Sequence, residues 1–230
     1  MEINQFYING NFVDPIGQEK IDLINPATEE KVGHVITGLE QDVDTAVSAA
    51  KSAFNEASLL TLEQKKVILQ EIIDGMQARK EEFAQVISEE MGAPIKVARS
   101  AQFGSGLVHF INTLKVIDNF SFSEVHDNIT INKLPIGPVG MITPWNWPLN
   151  QMCTKVASAI AAGTSFVLKP SEITPGAAHL FAEVVYETSM PKGMFNLIHG
   201  HGAVVGKAMS KHADLEMISF TGSTRACLLY

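Results

Sequence analysis

The stretch VGMITPWNWPLNQMCTKVASAIAAGTSFVLKP, Val139 to Pro170, reads as a short apolar strand, a proline-bracketed loop, an amphipathic helix and a second apolar strand. The same pattern continues downstream. The spacing predicts strands over Val139–Thr143, Ser165–Lys169, Met194–His199 and Met217–Thr221. Helices are expected between them, over about Asn150–Ala162, Thr174–Ser189 and Ala203–Ser210. Short apolar strands alternating with helices specify an α/β chain with a parallel, doubly wound sheet, because each parallel crossover carries a helix onto a sheet face.

Upstream the punctuation differs. FYI and NFV flank Asn9-Gly10, a pair that tolerates the positive φ of a two-residue hairpin turn. Two more strands are expected around Asn25-Pro26. From Gln41 the apolar spacing becomes helical, with Val43, Ala46, Val47, Ala50, Ala53 and Phe54 on one stripe. Thr61 and Gln64 form a capping-box pattern ahead of a helix expected to run unbroken to Met91. Another is expected from Ile95 to about Phe120, loosened at Gly104-Ser105-Gly106. Asn128 to Pro138, with a strand-like start, is set apart as a connector or oligomerisation arm. The expected organisation is a hairpin and helical part over 1–127, the arm over 128–138, and a Rossmann-like sheet over 139–230.

Composition narrows the function classes. Of the 230 residues 46% are apolar and 18% charged, which fits a globular chain with a core. Seventeen Lys and Arg against 25 Asp and Glu give a net charge of −8 and no basic stripe, so nucleic acid is not an expected partner. Residues 156–168 are interrupted by Ser, Gly and Thr and fall short of the roughly 20 that a membrane helix needs, and the first residues lack a signal-peptide pattern. A cytoplasmic location and no membrane partner are the expectation. Cys153 and Cys227 have no zinc spacing and no third metal ligand accompanies His199 and His201, so no metal is expected.

In open parallel sheets ligands lie beyond the carboxyl ends of the strands. The segment after each strand here is polar or glycine-rich: Pro144-Trp145-Asn146-Trp147-Pro148, Lys169-Pro170-Ser171-Glu172, Gly200-His201-Gly202 and Gly222-Ser223-Thr224. The spacing around Gly202 and Gly206-Lys207 matches neither a P-loop nor GxGxxG.

ITPWNWPLNQ, AAGTSFVLKPSEITP, PKGMFNLIHGHGAVVG and ISFTGST, in this order, resemble the cofactor domain of the NAD(P)-dependent aldehyde dehydrogenases. YINGNFV and INPATEEKVG resemble that family's amino-terminal segment, so the likeness covers almost the whole chain. The resemblance implies oxidation of a small aldehyde to a carboxylic acid, a nicotinamide cofactor, and dimers or tetramers. It makes Asn146 the oxyanion stabiliser. Cofactor contacts are implied at Ile142, Thr143, Trp145, Lys169, Ser171, Glu172, Gly202, Gly206, Phe220, Gly222 and Ser223.

The local chemistry leaves rivals open. Trp145 and Trp147 suit either a pocket wall or the core, and Ser223 either a pyrophosphate contact or a plain helix cap. A carboxylate at Glu172 disfavours a 2′-phosphate and so favours NAD, while Lys169 beside it keeps NADP open.

The family's chemistry needs a cysteine nucleophile and a glutamate base, and the segments that carry them lie beyond the FTGST motif. Cys153 reads as a small core residue, and Cys227 stands where the family usually has glycine. The tail ACLLY departs from the pattern, which makes a truncated or frameshifted fragment without aldehyde oxidation of its own the expectation. The alternative expectation is a non-catalytic module that binds a nucleotide or docks on other subunits.

Overall fold

The computed structural model describes residues 1–227; the side chain of Cys227 lies outside the description, and with it the reading of that thiol. The elements are β1 (Glu2–Ile3), β2 (Phe6–Ile8), β3 (Asn11–Val13), β4 (Lys20–Ile24), β5 (Lys31–Ile36), α1 (Glu40–Ser58), α2 (Leu62–Ala78) and α3 (Lys80–Met91). Then come α4 (Ile95–Val97), α5 (Phe103–Ile117), β6 (Ser123–His126), β7 (Ile129–Asn132), β8 (Val139–Ile142), α6 (Pro148–Ala162), β9 (Phe166–Lys169) and α7 (Gly176–Tyr186). β10 (Phe195–Leu197), α8 (Lys207–Lys211), β11 (Met217–Phe220) and α9 (Thr224–Cys227) complete the described chain.

The main sheet has the order β11-β8-β9-β10-β2-β3, and its first four strands are parallel. This is the doubly wound α/β architecture that the alternation predicts. Side chains alternate across β8: Val139 and Met141 join the core under α2, α3, α5, α6 and α7, whereas Ile142 joins the core under α1 and α8. Burial on both faces explains why these strands read as continuous apolar runs rather than alternating ones.

The amino-terminal hairpin is part of this sheet. Asn9 and Gly10 take φ of 52° and 74°, and β2 pairs antiparallel with both β3 and β10. The join is stabilised by Asn196, which is fully buried. Its Oδ1 accepts from the Asn9 backbone N–H at 3.0 Å, and its amide donates to Gly193 O at 2.7 Å and Phe166 O at 3.3 Å. β1, β5 and β4 form a separate three-stranded sheet.

α1 buries Val43, Ala46, Val47, Ala50 and Ala53, and its start is capped by Asp42, which accepts from the N–H groups of Leu39 and Ile16 at 2.8 Å each. The Thr61–Gln64 capping box forms in both directions.

Two local expectations need correction. The helix expected to run to Met91 breaks at Arg79 (φ −106°, ψ 17°). The Arg79 guanidinium is held by Glu82 of α3 and Glu183 of α7 at 2.7 and 2.6 Å, which fixes the bend against the neighbouring helix. The loosened turn falls at Ala98–Gln102, as a π-helical stretch, rather than at Gly104–Gly106. Gly106 instead allows close packing of α5 on α6, since a Cβ there would lie 2.6 Å from Leu149 Cγ. The strand expected after Asn128 forms as β7, with β6 of the preceding segment as its partner. β6 and β7 make a two-stranded hairpin whose Val125 and Ile129 are exposed. Among the described residues no helix is long and apolar enough to cross a membrane.

Replacing Asn196 by Leu strands the Asn9 N–H and removes two donors from buried carbonyls. A stability loss of about 2–4 kcal/mol is expected in urea denaturation, and a change under about 0.5 kcal/mol would contradict this account of the hairpin's attachment.

Candidate functional site

The parallel register brings the carboxyl ends of the strands level. Ile142 pairs with Lys169 on one side and Phe220 on the other, and Leu168 pairs with Leu197. The ladder continues one step beyond the strands: Thr143 N–H donates to Lys169 O, Thr221 N–H to Ile142 O, and Ile198 N–H to Leu168 O. All four following loops therefore start from one rim.

On this rim the sequence-selected residues fall into two neighbourhoods. The first is a cleft of about 300 Å³ lined by Pro144, Trp145, Asn146, Gln151, Thr221, Gly222 and Ser223. Asn146 is exposed there, and among the described residues its side-chain amide is hydrogen-bonded to nothing. Its backbone carbonyl accepts from Gln102 Nε2 at 3.4 Å. Trp145 is 51% exposed, so it is a wall residue rather than core, while Trp147 is half-buried. Ser223 Oγ accepts from Ala226 N–H at 3.2 Å, which is the helix-cap arrangement.

The second neighbourhood centres on Lys169, whose side chain is almost wholly buried. Its Nζ lies 2.9 Å from Glu172 Oε2. Burial pushes the Lys169 ammonium down and the Glu172 charge opposes that shift. Burial alone would raise the Glu172 carboxyl, but Lys169 and the residue's own backbone N–H hold it below the usual carboxylate range. Both groups are thus kept available at a partly dry rim, one as donor and one as acceptor. Ser171 Oγ accepts from Ile173 N–H at 3.3 Å in an exposed local turn. Gly202 and Gly206 bound a π-helical turn that opens after His201, and Gly206 is buried.

The neighbourhoods are tied together rather than merely adjacent. Thr174 Oγ1 donates to Trp145 O at 3.2 Å, linking the loop after β9 to the loop after β8. Ile142 and Phe220 lie beneath the rim in the apolar cluster with Val205, so they shape it from below.

Several participants are not legible from the motifs. Glu90 of α3 is buried and accepts from Gly176 N–H through both oxygens, at 3.1 and 2.9 Å, fixing the start of α7. Lys155 of α6 donates to Ser219 Oγ at 2.8 Å, and burial pushes its amine down. Its signal was a lone cation among Met152, Cys153 and Val156. Cys153 is fully buried, which pushes its thiol well above the ordinary value. His199 is buried edge-on to Phe6 and is kept neutral by burial first and by His179 second. Its ring points into the core rather than joining His201 at the rim. Among the described residues no group of three or more His, Cys, Asp or Glu is arranged to hold a metal.

This doubly wound sheet with a polar cleft along its carboxyl edge defines a nucleotide-binding class of fold. The aldehyde dehydrogenase family model matches residues 12–227, and the chain belongs to that family. It is 42% identical over 226 residues to a 3-succinoylsemialdehyde-pyridine dehydrogenase of a Pseudomonas species, covering 98% of this chain and 47% of that protein. Among solved structures, aldehyde dehydrogenase C of Pseudomonas syringae, a mutant in complex with NAD+ and octanal, superposes with a TM-score of 0.97 at 45% identity. That match covers 98% of this chain and 47% of the other. An aldehyde dehydrogenase of Bartonella henselae matches with a TM-score of 0.95 at 44% identity, covering 98% and 48%. The chain spans about half the length of the relatives it matches.

Glu90 gives the rim's supporting shell a pH signature. Burial pushes its carboxyl from 4.5 up to about 8, against the opposing Gly176 hydrogen bond. The folded state therefore binds a proton that the unfolded state releases above 4.5. Stability from this group is full below that value and is lost as pH rises towards 8. Glu90→Gln keeps an acceptor for Gly176 and cannot ionise, so its stability should vary less than the wild type's between about pH 5 and 8. Equal pH slopes in urea denaturation would contradict the assignment.

Proposed function

We propose that this chain is the cofactor-binding half of an enzyme that oxidises a small aldehyde to a carboxylic acid with a nicotinamide dinucleotide. The observation that carries the reading is the convergence of the loops after β8, β9, β10 and β11 on one rim, with Asn146 free in the cleft and a buried Lys169–Glu172 pair beside it. The residues fit a dinucleotide: a buried donor paired with an acceptor suits ribose hydroxyls, and the small residues Gly202, Gly222 and Ser223 suit close approach of a pyrophosphate. When bound, such a cofactor supplies a hydride acceptor.

The chain's own residues have distinct tasks. Lys169 and Glu172 hold the adenine-side ribose, Trp145 walls the cleft, and Asn146 donates its amide N–H to the aldehyde oxygen as that oxygen gains charge. A preorganised donor of this kind is worth about a hundred- to a thousandfold in rate. The Glu172 carboxylate favours NAD over NADP. Cys153 is too buried to serve as the attacking thiolate. Aldehyde is the small-molecule partner, with neither nucleic acid nor membrane involved. The setting is cytoplasmic.

A second reading is a non-catalytic nucleotide-holding or subunit-docking module. The exposed apolar side chains of the β6–β7 hairpin, Val125 at 72% and Ile129 at 65%, favour a docking role for that arm, including self-association.

Isothermal calorimetry on the 230-residue chain is expected to show NAD binding that weakens about tenfold in Lys169→Met, a loss in line with removing a charged hydrogen bond. Aldehyde turnover should be absent from the chain alone. NAD-dependent oxidation abolished by alkylating Cys153 would overturn the assignment of the nucleophile, and NAD binding indifferent to Lys169→Met would overturn the site.

A further inference from the structure

The rim carries a second carboxylate that the motif pattern leaves out. His201 sits between two acids: its Nδ1 lies 3.9 Å from Glu172 Oε1 and its Nε2 lies 3.4 Å from Glu19 Oε1. Glu172 in turn holds Lys169 Nζ at 2.9 Å through its other oxygen. The result is a line of side chains, Lys169, Glu172, His201 and Glu19, running from the end of β9 across the turn after β10 to the segment before β4.

Glu19 is placed, not dangling. Its backbone carbonyl accepts from Thr37 N–H at 2.8 Å, and its Oε2 accepts from Thr37 Oγ1 at 3.3 Å. The next residue, Gly38, donates its N–H to His199 O at 2.8 Å, so the segment carrying Thr37 is bonded directly to the loop that carries His201. Lys169 is the buried cation of this line, and Glu172 and Glu19 are its two carboxylates.

We propose that Glu19 and His201 are specificity-determining residues of the cofactor rim. Glu19 adds a second negative charge across the His201 ring from Glu172, with Nε2 bonded to Glu19 at 3.4 Å and Nδ1 3.9 Å from Glu172. A free ribose hydroxyl finds an acceptor there, whereas a 2′-phosphate meets two like charges. The inference rests on the reading of Lys169 and Glu172 as the ribose site. It goes further in assigning cofactor choice to an amino-terminal residue far from the glycine-rich turns in sequence.

The test is calorimetric titration of the chain with NAD and with NADP at pH 8, where the 2′-phosphate is fully ionised, at one fixed ionic strength. Wild type, Glu172→Gln, Glu19→Gln and His201→Arg are compared, each checked for an unchanged melting temperature. Glu19 and His201 are partly exposed, so both variants leave the core untouched. The wild type should prefer NAD. Glu19→Gln should raise the NADP to NAD affinity ratio about two- to fivefold, as expected for one partly screened charge, and His201→Arg about tenfold or more, because it adds a fixed cation between the acids.

If NAD binds and Glu172→Gln moves the ratio while Glu19→Gln and His201→Arg leave it unchanged, the inference is wrong and the ribose site stands. A ratio unmoved by one of the two removes that residue from the assignment. If NAD does not bind, or binds with no dependence on Glu172, the ribose site itself fails and this inference falls with it.

Discussion

The structure depends on the parallel register of β11, β8 and β9. Ile142 pairing with both Lys169 and Phe220 forces three strands to end at the same height, and the β10 pairing brings the fourth loop to the same edge. Parallel strands need long crossovers, so each strand end is followed by a loop and then by a helix packed on a sheet face. Chemistry on four separate stretches of sequence is thereby gathered along one edge. A one-residue slip of β9 would carry Lys169 to the other face of the sheet and dissolve the pair with Glu172.

A level rim does not by itself hold loops still. The restraint comes from side chains outside the motifs. Gln102, at the end of a π-helical turn, reaches the carbonyl of Asn146; Thr174 reaches the carbonyl of Trp145; Glu90 fixes the first N–H of α7. Two of these three belong to the amino-terminal helices, which explains why a segment with no chemistry of its own packs so closely on the sheet. Buried acceptors and donors of this kind cost stability when left unmade, so they fix one arrangement of the loops rather than several. The same helices bring in Glu90, whose raised carboxyl value shows what the burial of a supporting acid costs.

Most of the fold was legible because its strands and helices carry the periodicities that burial demands. The alternation from Val139 onward, the Asn9-Gly10 turn and the Thr61–Gln64 box all express local rules, and each forms as the sequence implies. The features that escaped were set by tertiary contacts. Arg79, at the break between α2 and α3, pairs with Glu183 of α7, and the π-turn before α5 ends at Gln102, which reaches the Asn146 loop. At the rim, the motifs place Lys169, Glu172 and Asn146 just past the strand ends, and the structure puts them there. The motifs do not reach Glu19, Lys155 and Glu90, since each lies far in sequence from its partner or inside an ordinary helix.

The central claim is that the four loops form one binding surface for a nicotinamide dinucleotide. Amide hydrogen exchange of the chain with and without NAD tests it directly. Protection should rise together in residues 143–147, 171–174, 201–206 and 222–224, and stay unchanged in the β6–β7 hairpin. Protection confined to one of these loops, or appearing chiefly at the hairpin, would contradict the account.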